Sequence, residues 1–311
     1  MGWYFARVTF PIQMIDSASS STLVIEPDAG CVATSWRVNG REVLALPSPR
    51  EEFLRAPRTG GVPLLYPYAN RLRSDHFYVA DRAVNLSVDA KLKRDPTGLP
   101  IHGLLLRWSD WNLSQPSPSH LEASIRWSDH PTLMAAYPFA HTLRVIWHLS
   151  HDSSAATLTV TTIIEADQDQ PIAVAFGWHP YISVVNAVSA QIELPRRRSV
   201  ALAPSGLPIL SAPKSAWADP SKEAIGQNQD SLFEIDPSAG KTQIAIIDGS
   251  DRTEIRFEGG YSFLQVYSPT GATFACAEPM TTATSALTDG PKVIAGGERS
   301  ESTFQIRRKL C

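Results

Sequence analysis

The stretch that decides the fold runs from His141 to Ala166 and reads HTLRVIWHLS, HDSSA and ATLTVTTIIEA in succession. The first and last of these segments are rich in β-branched residues, and their apolar and polar residues roughly alternate. Such alternation is typical of half-buried β-strands. The middle segment, residues 151–155, is short and polar. The stretch therefore predicts two strands separated by a polar connection.

The same pattern continues on both sides of this stretch. Asn39-Gly40 is a strong two-residue hairpin signal, and a second turn is expected at residues 248–251. Sustained helical periodicity is scarce, with one short helical turn expected around residues 51–55. The other strand-like runs are TLVIEP (22–27), CVATSWRV (31–38), REVLAL (41–46), QIAIIDG (243–249), TEIRFE (253–258), YSFLQVYSP (261–269) and TFQIRRKL (303–310).

Proline is frequent, at 24 of 311 residues, which fits many strands joined by long, shaped loops. Such loops are where a β scaffold usually carries its function. Neither a shift in composition nor a repeat divides the chain. We therefore expect an all-β protein with one large antiparallel domain over residues 1–311, in which residues 1–20 form a peripheral N-terminal segment.

Composition and charge exclude several classes of protein. Hydrophobic residues make up 43% of the chain and the net charge is −3, so a large core is expected and a nucleic-acid partner is not. No apolar run is long enough to span a membrane, and the N-terminus lacks the apolar region of a signal peptide. The three cysteines have neither disulfide-framework nor zinc-site spacing. These features predict a cytoplasmic protein without a bound metal.

Four polar constellations lie in surroundings rich in glycine and proline. FGWHPYI (176–182) places His179 among large apolar residues, GLPIHGLLLRW (98–108) contains His102, and ACAEPMTTATSAL (275–287) contains Glu278. The fourth, GGVPLLYPYANRLR (60–73), contains Asn70-Arg71. Acid–base chemistry on a polyhydroxylated substrate needs residues of these types.

Each constellation also has a structural explanation. His179 could be a core histidine with both ring nitrogens satisfied, His102 could cap a turn, and Arg71 could be a surface ion-pair partner. Glu278 is harder to explain in this way, because a carboxylate among small apolar residues is costly unless it is paired or used. The residues taken singly leave both interpretations open, and the combination favours a site.

In combination the motifs resemble the aldose 1-epimerase (galactose mutarotase-like) family. The order N-R, H-G, H-x-Y and late E-P is matched by Asn70-Arg71, His102-Gly103, His179-Pro180-Tyr181 and Glu278-Pro279. Weaker matches are Asp230 in NQDSLF and Gln265 in LQVYSP. The resemblance covers about residues 20 to 290. It implies a single large antiparallel β-supersandwich with a shallow sugar cleft, and activity on a sugar without a cofactor.

The chemistry of anomer exchange needs one base and one acid on opposite sides of the sugar C1. The resemblance implies that Glu278 is the base and His179 the acid, with His102 placed to hydrogen-bond near the ring oxygen or O1. With these roles, a neighbouring Glu278 carboxylate is expected to raise the pKa of His179, because an opposite charge favours the imidazolium. Sugar-binding roles are implied for Asn70, Arg71, Asp230 and Gln265, and apolar faces under the pyranose ring for Tyr181 and Trp178.

The sequence departs from the family in one motif and leaves alternatives open. His179-Pro-Tyr-Ile-Ser replaces the H-x-Y-F-N of dedicated galactose mutarotases, so the preferred sugar is not specified. The leading hypothesis is a 1-epimerase acting on a free aldohexose. A hexose 6-phosphate is the alternative substrate, for which Arg73, Arg94, Arg107 or Arg196–Arg198 would supply cations. A non-catalytic sugar-binding or sensing module, or a glycoside hydrolase using Glu278 and Asp230, would account for fewer of the motifs.

Overall fold

The computed structural model describes residues 10–56, 58–79, 82–185, 190–240 and 242–310. Strands dominate the described chain, as the alternating pattern predicts. They are, in chain order, β1 Ile12–Asp16, β2 Ser21–Glu26, β3 Val32–Val38, β4 Arg41–Glu42, β5 Leu64–Leu65, β6 His76–Val79, β7 Arg82–Asn85, β8 Asn112–Ser117, β9 His120–Arg126, β10 His141–His151, β11 Ala155–Ala166, β12 Ile172–Val174, β13 Gly177–Trp178, β14 Tyr181–Ser183, β15 Gln191–Leu194, β16 Arg197–Ser199, β17 Ser221–Ala224, β18 Gln229–Ile235, β19 Thr242–Asp248, β20 Asp251–Gly259, β21 Phe263–Ser268, β22 Phe274–Met280, β23 Lys292–Ile294 and β24 Arg299–Lys309.

Helices are short and few among the described residues. The α-helices are α1 Arg50–Arg55, α2 Pro131–Ala136 and α3 Ala286–Asp289. The predicted helical turn around residues 51–55 is α1, so that prediction is confirmed. In the described part of the chain, no helix combines the length and hydropathy needed to cross a membrane. The 3-10 helices are Ser17–Ser19, Pro27–Ala29, Leu86–Val88, Trp127–Asp129 and Pro237–Ala239.

Two large sheets carry most of the strands. The nine-stranded sheet has the order β17-β15-β19-β20-β24-β11-β10-β9-β8, and the seven-stranded sheet has the order β16-β18-β21-β22-β13-β5 with β14 also paired to β22. A four-stranded sheet, β1-β2-β3-β4, and the pairs β12-β23 and β6-β7 complete the set. Neighbouring strands pair antiparallel in every sheet, for example β10 with β11 and β21 with β22. The all-β antiparallel fold is therefore confirmed.

The stretch from His141 to Ala166 forms a hairpin in the interior of the nine-stranded sheet. Trp147 lies opposite Val160, and alternate residues of β10 are buried, as the sequence pattern requires. The polar connection turns because Asp152 Oδ1 accepts hydrogen bonds from the backbone N–H groups of Ser154 and Ala155, at 2.7 and 2.9 Å. An aspartate that bonds the backbone two residues on is a common turn device.

The two large sheets pack face to face through aromatic side chains. Trp178 of β13 in the seven-stranded sheet contacts Trp147 of β10 edge-on, with ring centroids 5.2 Å apart, and also approaches Phe304 of β24. Its indole N–H donates to Thr162 Oγ1 of β11 at 3.0 Å, which satisfies the polar atom of a fully buried side chain. These contacts place the core between the two sheets.

The N-terminal segment is part of the fold from residue 12 onward. β1 pairs with β2 in the four-stranded sheet, and Met14 is completely buried in the main core. The prediction that residues 1–20 are peripheral is therefore wrong for this strand, because its alternating apolar residues cover the core; residues 1–9 lie outside the described residues. In the same sheet Val38 pairs with Arg41 across Asn39-Gly40, whose φ angles of 50° and 75° confirm the predicted hairpin.

Candidate active site

The floor of the candidate site is made by β21 and β22. Gln265 and Glu278 lie directly opposite each other in the antiparallel register, so both side chains project from the same face of the sheet. Each is almost fully buried, at 2% exposure. Gln265 Nε2 donates to Asp230 Oδ1 at 2.5 Å, which ties β21 to the neighbouring strand β18. The pairing of these strands brings together residues that are far apart in the sequence.

One wall of the site is formed by two loops that hydrogen-bond to each other. Asn70 and His102 both have positive φ angles, 56° and 68°, which are uncommon for residues other than glycine. The backbone N–H of His102 donates to the carbonyl oxygen of Asn70 at 2.9 Å. These paired turns direct the polar side chains of both loops into the same cleft.

His179 follows β13 and faces the cleft, whereas its predecessor faces the core. Successive side chains of an extended segment point to opposite faces, so Trp178 and His179 cannot both line the cleft. Trp178 packs between the sheets and is 1% exposed. The prediction that Trp178 offers a face to the sugar ring is therefore wrong. The N–H of His179 donates to the carbonyl oxygen of Pro63 at 3.1 Å, which fixes its backbone at the wall of the cleft.

The imidazole of His179 is held by Tyr181. The two rings are stacked at 4.5 Å with an interplanar angle of 15°, and the phenol oxygen lies 3.5 Å from His179 Nε2. Thr59 Oγ1 is 2.7 Å from the same phenol oxygen. One face of Tyr181 is thus occupied by the imidazole, so this tyrosine positions His179 as well as lining the cleft.

Arg71 is anchored by a carboxylate behind it. Its Nε donates to Asp95 Oδ2 at 2.6 Å, and its Nη1 donates to Asn70 Oδ1 at 3.2 Å. Asp95 also accepts hydrogen bonds from Thr97 and from the N–H of Leu99. This arrangement fixes the guanidinium at the edge of the cleft and leaves part of it exposed.

These residues enclose a small polar cleft of about 160 Å³, well below the roughly 300–1,000 Å³ of sites for drug-sized ligands. Eight of the nine residues predicted from the sequence line it; Trp178 does not. The sequence did not single out Thr59, Ile101 or Tyr267. Tyr267 had a usable signal, because it lies two residues after Gln265 in β21 and so shares its face. The lining residues are Thr59, Asn70, Arg71, Ile101, His102, His179, Tyr181, Asp230, Gln265, Tyr267 and Glu278.

Glu278 and His179 meet at the buried end of this cleft. Glu278 Oε1 lies 3.4 Å from His179 Nε2, and both side chains are less than one-tenth exposed. Burial raises the pKa of Glu278 well above its usual value, and the charge of Asp230 raises it further while Arg71 opposes the shift. Burial also lowers the pKa of His179 to about 3, with a further contribution from the charge of Lys93. Both shifts favour the neutral form of each group, a protonated Glu278 beside a neutral His179.

The expected direction for His179 is therefore reversed in this structure. A neighbouring carboxylate alone would raise its pKa, but desolvation and Lys93 outweigh that effect. The pKa of His102 is also lowered, by burial and then by the charges of Lys93, His179 and Arg71. Its ring lies edge-on to that of His179, with centroids 5.6 Å apart. At neutral pH the site thus presents a neutral His102 beside a pair that shares a single proton.

Two buried nitrogen atoms of the site have no partner among the described residues. They are Nδ1 of His102 and Nδ1 of His179, and Gln265 Oε1 is unpartnered in the same way. Buried polar atoms without a partner are uncommon and call for an explanation. Within the described ranges, no group of three or more His, Cys, Asp or Glu side chains is arranged to hold a metal ion.

Comparison with known proteins relates this fold and site to one family. The family model described as aldose 1-epimerase matches residues 15–302. No match is found among the curated proteins. Solved structures with the same fold include the Slr1438 protein from Synechocystis sp. PCC 6803, with 20% identity, a TM-score of 0.77 and 96% of each chain covered. The galactose 1-epimerase from Lactobacillus acidophilus NCFM has 14% identity and a TM-score of 0.72, with 97% of this chain and 95% of that chain covered.

A third solved structure has a similar relation to this chain. It is a galactose mutarotase-like protein from Clostridium acetobutylicum, with 16% identity and a TM-score of 0.76. The match covers 97% of this chain and 99% of that one. Together these structures confirm the galactose mutarotase-like fold that the family resemblance implies.

Proposed function

The chain belongs to the aldose 1-epimerase family, and from that premise we propose that it interconverts the α and β anomers of a free aldohexose. The observation that carries this proposal is the contact of Glu278 with His179 at the end of a small polar cleft. The two side chains together hold one proton. The reaction has to remove a proton from one oxygen of the sugar and supply a proton to another, and a pair with one proton can do both.

In the proposed reaction the sugar gives one proton to the protein and receives another proton from it. Glu278, as a carboxylate, takes the proton of the sugar O1–H while His179, as an imidazolium, gives its proton to the ring oxygen. The C1–O5 bond breaks as the C1–O1 bond becomes a carbonyl, which yields the open-chain aldehyde. Rotation about C1–C2 then presents the other face of the carbonyl. Reversal of both proton transfers closes the ring and restores the pair.

The proton count explains why a buried pair suits this reaction. Ring opening converts an imidazolium and a carboxylate into an imidazole and a carboxylic acid, so the total charge of the pair does not change. Burial favours the imidazole and carboxylic acid over the imidazolium and carboxylate, so the reactive ion-paired form is the minor one, and ring opening returns the pair to the form that burial favours. We propose that the sugar carries the proton from His179 to Glu278 as the ring opens. His102 then hydrogen-bonds near the ring oxygen or O1.

The other polar side chains of the cleft are suited to sugar hydroxyls. Arg71 offers guanidinium donors held in place by Asp95, and Asn70 lies beside it. Asp230 and Gln265 are hydrogen-bonded to each other on the opposite side, and can accept and donate to neighbouring hydroxyls. We assign these four residues to substrate binding and Tyr181 to the support of His179 and of the sugar ring.

The 6-phosphate alternative receives less support because most of its candidate cations already have carboxylate partners. Arg73 pairs with Asp289 at 2.9 Å, and Arg94 pairs with Asp75 at 2.5 Å. The Arg196–Arg198 cluster is neutralised by acidic side chains, namely Asp219, Asp236, Glu223 and Glu234. None of these arginines lines the cleft. Arg71 is the one that does.

The experiment is a comparison of kcat/KM for glucose, galactose and glucose 6-phosphate at two salt concentrations, with polarimetry on freshly dissolved α-anomers. We expect both free sugars to be substrates, within about tenfold of each other, because the loss of one hydroxyl contact in a wet cleft is worth about 0.5–1.5 kcal/mol. A preference for the phosphate that collapses at high salt would contradict the proposed substrate. So would a failure to accelerate the anomerisation of any of the three.

A further inference from the structure

Residues 201–209 form a short hairpin that none of the sequence motifs explains. The N–H of Ile209 donates to the carbonyl oxygen of Ala201 at 2.9 Å, and the N–H of Ala203 donates to that of Leu207 at 2.8 Å. None of these residues lines the sugar cleft, and the reaction proposed above gives them no role. The hairpin nevertheless contacts segments that carry cleft residues at its base, at its returning strand and at its tip.

The base of the hairpin is attached to β18, the strand that carries Asp230. The N–H of Val200 donates to the carbonyl oxygen of Leu232 at 2.9 Å, and Leu232 lies two residues after Asp230. Val200 and Leu202 also pack against a buried apolar cluster that includes Leu232 and Ala69. The hairpin therefore begins on the side of the cleft that Asp230 forms.

The returning strand of the hairpin is held by Arg73. The Nη2 atom of this arginine donates to the carbonyl oxygen of Pro208 at 3.0 Å. Its Nε and Nη2 also donate to Asp289 Oδ2, at 3.2 and 2.9 Å. Arg73 lies two residues after Arg71, so one segment of the chain carries both arginines. These bonds fix the position of the hairpin relative to the segment that carries Arg71.

The tip of the hairpin packs against the guanidinium of Arg71. The N–H of Gly206 donates to the carbonyl oxygen of Ala203 at 2.8 Å, which closes the turn, and the φ angle of Gly206 is 76°. A Cβ atom built on Gly206 would lie 2.7 Å from Nη1 of Arg71 and 3.1 Å from its Cζ. Carbon atoms that are not bonded pack best at about 3.5–4.0 Å. The tip can therefore lie this close to Arg71 only because residue 206 has no side chain.

These contacts leave Arg71 one nitrogen for a ligand. Its Nε donates to Asp95 at 2.6 Å and its Nη1 donates to Asn70 at 3.2 Å, while Gly206 lies beside the Nη1 end. Within the described ranges, no residue accepts a hydrogen bond from Nη2. A long side chain that is already held in one rotamer loses less conformational entropy when it binds a ligand. Restraint of Arg71 therefore favours binding of the sugar.

We propose that Gly206 is a positioning residue of the sugar site, because the tip of the hairpin keeps the guanidinium of Arg71 in the orientation that binds a sugar hydroxyl. Asp95 restrains Nε and the hairpin restrains Nη1. A methyl group at residue 206 would meet the end of a flexible side chain, so the guanidinium would move aside. This inference rests on the proposed function, in which Arg71 binds the sugar.

The test is steady-state polarimetry with galactose on Gly206→Ala. We expect KM to rise by about three- to tenfold with a smaller change in kcat, because Arg71 would lose one hydrogen bond to the sugar. Gly40→Ala is the matched control, since Gly40 also lies at a hairpin tip, with a φ of 75° and nothing within 4 Å of an added Cβ atom. Both variants have the strain of a positive φ, and Gly40→Ala should keep the wild-type KM.

Two further variants separate this role from a general effect of the hairpin. In an Arg71→Ala background there is no guanidinium to displace, so the addition of Gly206→Ala should leave KM unchanged. Arg73→Met loosens the hairpin without adding an atom at its tip, because it removes the donor to Pro208. It should raise KM by about two- to fivefold, whereas Arg299→Met, at an exposed ion pair, should not.

Several results would overturn the inference while the proposed function stands. One is a Gly206→Ala variant that unfolds in urea like a folded protein and has the KM of Gly40→Ala. Another is a further rise in KM when Gly206→Ala is added to Arg71→Ala. If Gly206→Ala does not fold, a wild-type KM in Arg73→Met decides against the hairpin. A wild-type protein that fails to accelerate anomerisation would instead remove the proposed function, and this inference with it.

Discussion

At the scale of single residues, the feature that matters most is the charge of Glu278 and His179 taken together. Their contact at 3.4 Å is shielded from water, and burial raises the pKa of one and lowers the pKa of the other. A second proton would give the pair a positive charge, and loss of the only proton would give it a negative one. Burial opposes both changes, so the state with one proton persists over a wide range of pH.

This coupling predicts a broad pH profile for kcat/KM. Below the lower limb the pair gains a second proton and the base is lost, whereas above the upper limb the pair loses its proton and the acid is lost. With a His179 pKa of about 3 and a raised Glu278 pKa, we expect a plateau across neutral pH and a lower limb below about pH 4. A narrow bell with limbs near the ordinary values of about 4.3 and 6.5 would contradict this expectation.

Asp95 provides a second prediction at the residue scale, because it holds Arg71 without lining the cleft. Asp95→Asn weakens the ionic anchor of the guanidinium, so Arg71 should bind the sugar less well. We expect KM to rise by about five- to tenfold with a smaller change in kcat, which corresponds to about 1–1.4 kcal/mol and to the usual net contribution of one hydrogen bond. Asp75→Asn breaks a comparable ion pair with Arg94 outside the cleft and is the matched control.

If KM is unchanged in Asp95→Asn while kcat falls, Arg71 does not act through ground-state binding. If Asp75→Asn raises KM equally, the effect is not specific to the cleft. Steady-state polarimetry over a range of galactose concentrations distinguishes these cases.

At the scale of elements, the site depends on loops that pack closely against each other's backbone. Gly103 follows His102 with a φ of 74°, and a Cβ atom built on it would lie 2.1 Å from the carbonyl oxygen of Tyr66. The N–H of Leu104 donates to the same oxygen at 2.7 Å. The glycine in the H-G motif is therefore required because a side chain there would separate the loop that carries His102 from the strand end beside it.

Gly103→Ala is expected to destabilise the protein by about 2–5 kcal/mol, from the strain of a positive φ together with the clash. Gly271→Ala is a matched control, since it has the same φ of 74° and nothing within 4 Å of the added Cβ atom. Gly271→Ala should lower the free energy of unfolding by only about 1–2 kcal/mol, because it has the strain of the positive φ without the clash. The measurement is the free energy of unfolding by urea for both variants. Equal losses would show that the close approach to Tyr66 is unimportant.

At the scale of the whole molecule, local patterns and long-range pairings differ in how far the sequence predicts them. The hairpin of β10 and β11 could be predicted because alternation and turn chemistry are local. The pairing of β11 with β24, which places Thr159 opposite Gln305, could not, because no local signal specifies which distant strand lies alongside. Other pairings between strands that are far apart in the sequence, such as β20 with β24 and β15 with β19, are of this second kind.

The same distinction applies to the candidate site. Motif order identified eight of the cleft residues, because the motifs themselves carry the side chains that line it. The prediction for Trp178 is wrong because a neighbour of His179 in an extended segment points to the opposite face, so the indole lies in the core and not in the cleft. Thr59 and Asp95 act through contacts with Tyr181 and Arg71, which only the folded chain creates.

The most direct test of the proposed reaction is the rate of α/β exchange of galactose, measured by NMR magnetisation exchange with catalytic amounts of protein. We expect the wild-type protein to accelerate exchange and Glu278→Gln to be slower by about 10²–10⁴, the usual contribution of a positioned general base. Glu301→Gln, at an exposed glutamate paired with Arg299, should exchange the sugar like the wild type. Exchange by a folded Glu278→Gln variant at the wild-type rate would contradict the assignment of Glu278 as the base.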